Sequence, residues 1–550
     1  MPIVNVPLTT PIKQRTNDTS KDAKMVNCFK ETMPGGATLA IKRPGKAAYT
    51  ITPALPIDGN GLWTFNNNLY AAAGTGLYSI TGGTSVNVNT GMSGQNVSWA
   101  NTLATTAPRP YMVFHDQVTG YSMNSTGTVV VINKQVAGVT LVSGGTGYTS
   151  TTGTFTVTGS ISGSGAAGTY ISDGSTITSV TLTSSGSNYA GTLAVVLSGA
   201  GSAAVVTPYL NSFPTNPVPG LVYLDGYVFA MDPKGQIFQS DNENPNIWGP
   251  LNYTSAVSEA DKGKALARHL NYVIAFKEWT ADFFYDAGNS AGSVLSINQS
   301  AHMEIGCADG NSIQNPEQTL IWMGTVVEGG RGIYVMEGLS PQRVSTKAVE
   351  NFLNASDLSG TYSWLYKIAG HTLYGLVLTD QNVTLVYDMG EKEWHYWTTS
   401  KDYIGGSENY FECSFVVQFP FNSGNFYVLD AVNGLVFTLS PNNYVDPFGP
   451  IRMRIVTDRM DFDTYSFKTG YGLTMFGDNI NDVMQVRHTE DDYTNWSQYR
   501  QIQLNLQKPC LYQLGRFRRR AYEYLYTGNN PFRLEKVEFN INGRLDLKQE

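Results

Sequence analysis

Short apolar or aromatic runs separated by Gly, Asn or Asp recur along the chain, as at Gly61 to Phe65, Leu69 to Ala72 and Leu77 to Ile80, and again at Val222 to Leu224, Tyr227 to Ala230 and Gln236 to Gln239. Runs this short, bounded by turn residues, predict strands. Leu221 to Leu224, the Asp225-Gly226 turn, Tyr227 to Met231, then Gly235 and Ile237 to Ser240 predict three antiparallel strands, most of a propeller blade. Similar units stand at Thr372 to Thr379, Thr384 to Tyr387 and Trp394 to Thr398, and at Asn425 to Leu429 followed by Gly434 to Leu439. Helical spacing over more than two turns occurs only at Ala260 to Leu270 and Ser345 to Leu353. The repeats are too degenerate to count blades.

The pattern changes twice. Between Val139 and about Val206 the chain turns to Gly, Ser, Thr, Val and Ala with almost no charge. Within it Val139 to Tyr148 (VTLVSGGTGY) and Val180 to Tyr189 (VTLTSSGSNY) align at an offset of 41 residues. Two β repeats facing one another would bury both apolar faces. A flexible Gly/Ser linker is the rival reading, but linkers do not alternate Val and Leu with polar residues. After about Pro450 longer, more charged strands are predicted at Ile451 to Thr457, Val483 to His488, Gln501 to Leu506 and Tyr522 to Tyr526. The fold expected is all-β, a β-propeller with an inserted small β domain and a C-terminal β domain. Its segments are 1–136 (N-terminal segment and first blades), 137–206 (insertion), 207–450 (remaining blades) and 451–550 (C-terminal domain).

Composition agrees with strands and tight turns: of 550 residues, 41% are hydrophobic and only 15% charged, with 56 Gly, 32 Tyr and 24 Phe. A net charge of -8 lacks the basic excess of a protein that grips nucleic-acid phosphates. No apolar run approaches the roughly 18 residues that span a bilayer, and Met1 to Lys13 lacks a signal peptide's layout, so synthesis and assembly in the cytosol are expected. Cys28, Cys307, Cys413 and Cys510 are scattered singly, without the pairing of a metal site, and read as buried free thiols.

Catalytic chemistry finds little support. The six histidines, His115, His269, His302, His371, His395 and His488, show no H-x-x-x-H spacing, and neither a phosphate loop nor a G-x-S-x-G turn is present. Thr489 to Trp496 (TEDDYTNW) faintly resembles the Asp-box turn of sialidase-type propellers, but that turn is structural even there. No catalytic residue, metal or cofactor is expected. The sharpest charged feature is Gly515-Arg516-Phe517-Arg518-Arg519-Arg520. On a strand, Arg516, Arg518 and Arg520 would point one way, Phe517 and Arg519 the other. That row suits a contact with another chain or domain, an intradomain salt-bridged sheet face or, less readily, DNA.

Several stretches together resemble the tail nozzle, or packaged-DNA stabilisation, proteins of short-tailed phages. Near the start these are Val26-Asn27-Cys28-Phe29, Lys42-Arg43-Pro44-Gly45, Leu69-Tyr70 and Leu77-Tyr78. The central block runs from His269-Leu270 and Val273 to Phe276 through Trp279-Thr280, Phe283-Phe284-Tyr285, Gly288 and Glu304-Ile305-Gly306-Cys307. It continues through Ile321-Trp322-Met323-Gly324, Gly332-Ile333-Tyr334, Pro341 to Thr346, Ala348-Val349-Glu350, Gly370-His371, Leu373-Tyr374, Tyr387-Asp388 and Trp394-His395. The chain departs from the family at Lys277, where Gly is usual, and in the insertion after Val136. The resemblance implies a non-enzymatic virion protein: a homohexameric tube below the portal and adaptor (head-to-tail connector) rings, with a propeller in each subunit. Its C-terminal domain would be the adaptor-facing platform, with Arg516, Arg518, Arg519 and Arg520 as candidate subunit or adaptor contacts. Further partners implied are a tail needle or plug, tailspikes or fibres, the host envelope indirectly, and packaged double-stranded DNA passing through without tight binding. The alternatives are a carbohydrate-binding or glycan-hydrolysing tail propeller, and a cytosolic propeller scaffold.

Overall fold

A computed structural model describes residues 3–8, 12, 23–103, 110–400, 408–420, 424–462 and 464–543; part of the Met1 to Lys13 stretch lies outside them. The chain forms two compact units, one of residues 51–329 and 336–341, the other of residues 1–50, 330–335 and 342–550.

The first of these is built from four-stranded antiparallel sheets in sequence order. One comprises Gly59–Phe65, Asn68–Ala73, Gly76–Thr81 and Thr84–Thr90, and the next Ser98–Asn101, Tyr111–His115, Gly120–Asn124 and Val129–Val131. A third joins Val222–Leu224, Tyr227–Met231 and Gln236–Gln239 to Tyr253–Ser255. Its first hairpin turns on Asp225 (φ 49) and Gly226 (φ 92), the left-handed pair that a two-residue turn between twisted strands requires. The fourth sheet comprises Gly263–His269, Tyr272–Lys277, Ala281–Asp286 and Leu295–Met303.

That last sheet corrects the expected helix at Ala260 to Leu270. Leu266 packs with Val273, Ala275 and Phe284, while Leu270 (φ 53) reverses the chain into the next strand. Ladder pairing and burial outweigh a weak helical spacing. The second expected helix forms as Lys347–Ala355, where Thr346 caps the start by accepting from the Val349 amide and Ala348, Val349 and Leu353 are buried.

Residues 136–210 form their own layers within the same unit. Val136–Thr146 pairs with Ser202–Leu210, and Ile177–Ala190, Ser162–Ser172, Thr152–Gly159 and Leu193–Leu197 make a four-stranded sheet. The two repeats occupy matching environments. A Cβ on Gly145 would lie 2.4 Å from both Ala204 N and Ser202 O, and one on Gly186 would lie 2.4 Å from Ala166 N and 2.5 Å from Ser164 O. Both glycines have positive φ, so no other residue fits. Tyr148 and Tyr189, which close the repeats, are buried. Leu141 and Val180 pack around Tyr148, Tyr170 and Ile177.

In the other unit, Phe415–Gln418, Phe426–Leu429 and Val436–Leu439 are joined by Lys46–Ala48 from near the chain start as a fourth strand. A nine-stranded sheet runs from Thr361–Ile368 through Lys24–Val26 and Met453–Val456 to Arg500–Gln503. Facing residues from both chain ends, including Val6, Met25, Leu473, Tyr524 and Phe539, share one core. Arg43 pins this arrangement. Fully buried, it donates to Asn27 Oδ1 (2.8 Å), Pro44 O (2.9 Å), Thr398 O (2.8 Å) and both carboxylate oxygens of Asp446 (3.2 and 2.5 Å). A Cβ on Gly45 would lie 2.2 Å from Val445 O. Within the Lys42-Arg43-Pro44-Gly45 run, Arg43 and Gly45 each therefore have a chemical reason for their identity.

Candidate interaction surface

The Cys510–Phe517 strand is the end member of a sheet ordered Cys28–Thr32, Thr38–Lys42, Arg533–Gly543, Lys468–Gly477, Cys510–Phe517. Phe517 points into the core, where it meets Phe462 and Phe539, so Arg516 is left on the exposed side. The guanidinium of Arg516 lies 4.8 Å from the centre of the Phe467 ring. Arg518 stacks on the same ring at 4.2 Å and over Tyr465 at 5.3 Å, and it donates to Tyr465 O (3.1 Å).

Arg519 and Arg520 have other surroundings. Arg519 is 3.7 Å from Asp461, a loose pair between half-exposed side chains. Arg520 is buried: it pairs with Glu490 (2.5 and 3.1 Å), donates to Leu514 O (2.5 Å) and stacks on Phe517 at 4.3 Å. The expected row of three arginines thus stops at two. The strand ends at Phe517 and the chain bends before Arg520, which meets Met460 in an isolated bridge, so alternation does not carry through. The pattern of arginines was legible; the platforms Tyr465 and Phe467, some fifty residues earlier, were not, because nothing in their local sequence marks them as partners of a later strand.

Around Arg520 the charges are settled internally. Burial, reinforced by the Arg520 charge, holds the His488 imidazole down at about 4. Glu523 is buried between Arg454 (2.9 Å) and Arg487, and Arg487 also stacks over Trp496 and Tyr499. In the Thr489 to Trp496 turn, Asp491 accepts from the Asn495 amide (2.9 Å), the Thr489 hydroxyl (2.9 Å) and the Asn495 side chain. Those bonds lower its carboxyl to about 2, as a turn-holding group requires. Glu490, in the same turn, is the counter-ion of Arg520.

The other ionisable groups noted in the sequence are also accounted for by local structure. His371 Nδ1 lies 2.6 Å from the buried carboxylate of Asp388. That hydrogen bond, opposed by partial burial, raises the imidazole. Burial pushes the Asp388 carboxyl up, but its bond to His371 and the imidazole's charge outweigh this and lower it. His395 is held at about 4, chiefly by burial. Lys277, at the family's usual Gly position, is buried with Nζ 3.0 Å from Asp261 and 3.4 Å from Asp282, and it donates to Glu259 O. Beside it opens a cleft of about 870 Å³ whose lining includes Trp279, His302, Glu304 and Val327. The four cysteines are free thiols, three buried and Cys510 partly exposed. Among the described residues no group of three or more His, Cys, Asp or Glu side chains could hold a metal ion, and no helix is long and apolar enough to cross a membrane.

Comparison with known proteins adds the family. The family described as bacteriophage P22 Gp10, β-propeller, matches residues 104–443, more than half of the chain. No curated protein matches. Among solved structures, the computationally designed Ika8 protein is similar at 12% identity and a TM-score of 0.32, covering 72% of this chain and 99% of its own. The N-terminal domain of Nup159 is similar at 8% identity and a TM-score of 0.34, covering 76% of this chain and 99% of its own. Likeness at that level carries no argument about function. With its nearly all-β fold of many small sheets, the chain belongs to the bacteriophage P22 Gp10 β-propeller family, the tail hub or stabilisation proteins of short-tailed phages, and is a structural protein of the phage tail.

Proposed function

We propose that this protein is the subunit of a tail nozzle: a ring of six copies that extends the exit channel below the adaptor, closes the DNA-filled head and conducts the genome during ejection. The family match over residues 104–443 carries this reading. The lack of a broad basic excess supports it, since a conduit must release a polyanion quickly and each neutralised phosphate would add salt-dependent affinity. In this reading residues 137–206 are an insertion in a propeller loop, and 451–550 provide the platform that meets the adaptor. Plug, needle and fibres attach to the ring, and the protein performs no catalysis.

The test is removal. Particles assembled without the protein should carry heads that fill and then leak their genome; heads that retain DNA and eject it normally would contradict the proposal. The glycan-binding alternative draws on one observation, the cleft beside Trp279 with its aromatic and carboxylate lining. It predicts that Trp279→Ala abolishes attachment to host cells without affecting genome retention.

A further inference from the structure

We infer that Arg516 and Arg518 form a two-pronged seat for the carboxylates of an acidic protein segment in a neighbouring tail component. The inference rests on the protein's place in the tail and refines the arginine cluster to two of its four members.

The argument starts from what the two side chains lack. Among the described residues no carboxylate pairs with either, although the chain as a whole carries a net charge of -8. Two like charges share one ring, Phe467, at 4.8 and 4.2 Å. Such stacking offsets part of their repulsion. It also covers the flat faces of the guanidinium groups while leaving in-plane N–H donors available, all of those on Arg516 and those on Arg518 that Tyr465 O does not take, and such donors match a carboxylate in a planar, bidentate fashion. The ordering that binding would require is thus already partly made. Beside the pair, Tyr465 is 66% exposed, giving an Arg and Tyr mixture of the kind that dominates binding energy at protein interfaces.

Two other modes of docking fit less well. An edge strand can accept an added strand, but here three consecutive carbonyls are already engaged: Arg500 donates to Tyr512 O (2.7 Å) and Gln513 O (3.1 Å), and Arg520 to Leu514 O (2.5 Å). Recognition therefore goes through the side chains. A nucleic acid would meet an acidic protein, and two neighbouring arginines neutralise few phosphates, the number on which its affinity depends.

The test has two arms, both on the full chain. In the first, fluorescein-labelled hexaglutamate is titrated at low salt against the parent, R516Q/R518Q and R519Q. The double variant should lose roughly fivefold or more in affinity, the size of an exposed charge pair, and R519Q should lose little. Equal binding by parent and double variant overturns the seat, and so does a short duplex DNA bound by the parent and released by the double variant. Glutamine keeps most of the side chain's shape, and a thermal melt matching the parent confirms that the variant is folded.

In the second arm, purified protein is added to particles made without it. The parent should join them and R516E/R518E should not. Second-site suppressors of that variant should replace Asp or Glu in another tail component; suppressors confined to this chain would overturn that choice of partner. A variant that joins normally overturns the seat. If the unaltered chain itself fails to join, the nozzle reading falls, while the peptide arm still decides on the seat.

Discussion

Arg43 and Arg520 are both arginines buried in the same unit, yet they differ in what surrounds them. Arg43 spends its donors on Asp446, Asn27 and two carbonyls, with the carboxylate as buried as the guanidinium. Asp446→Ala would leave an uncompensated buried charge, so we expect about 3–5 kcal/mol of destabilisation by urea unfolding. Arg520 pairs with a half-exposed Glu490, and solvent screens that pair. Arg520→Ala should cost less, about 2 kcal/mol, mainly through the loss of its bond to Leu514 O. Arg516→Ala and Arg518→Ala should each cost no more than about 1 kcal/mol by the same measurement, because each loses a stack on the half-buried Phe467 ring but no buried ion pair. An equal loss from all four variants would mean that the outer arginines are structural. The sequence marked Arg516 to Arg520 as unusual, but it could not separate the outer pair, Arg516 and Arg518, from the buried Arg520, because that depends on where the strand stops.

At the scale of elements, legibility followed the strength of local signals. The Asp225-Gly226 turn, whose residues tolerate left-handed backbone, appeared where expected, and so did the strands beside it. Strand Gly263–His269 was misread as helical because its burial comes from Val273, Ala275 and Phe284 on neighbouring strands, which a window on its own residues does not weigh. The Lys46–Ala48 strand was not foreseen either, since its ladder partner, Val436–Leu439, lies nearly four hundred residues away.

Within residues 136–210, the paired glycines give a sharp prediction. Gly186→Ala would press a Cβ against Ala166 N in a left-handed backbone. It should destabilise that segment by roughly 2 kcal/mol or more, read as earlier protease cleavage between residues 137 and 206, while the remainder unfolds as before. If residues 137–206 form an independent insertion, deleting them should leave a soluble chain, since Val136 and Leu210 are ladder partners and the cut ends lie close together. A chain that becomes insoluble would show the segment to be integral.

For the molecule as a whole, the histidines set the acid limb of stability. His115, His395 and His488 are each held at about 4, chiefly by burial, against roughly 6.5 in an unfolded chain. The unfolded state therefore binds protons first, and stability present above about 6.5 is lost as pH falls towards 4. His371 acts in the opposite sense. Its value is raised by Asp388, so its contribution is complete below the ordinary imidazole range and fades as pH rises through the raised value. Urea midpoints at a series of pH values should show a loss on the acid side, and His371→Asn should remove the loss attributable to it on the neutral side. A flat profile between pH 7 and about 4.5 would contradict these buried neutral imidazoles.

The central claim concerns place and number, and the most direct measurement is an image reconstruction of mature particles with this protein labelled, made without imposed symmetry. The nozzle account predicts six copies in one ring, coaxial with the tail and below the head, around a channel wide enough for duplex DNA. A three-fold ring, a single copy per tail, or label lying away from the channel would contradict it.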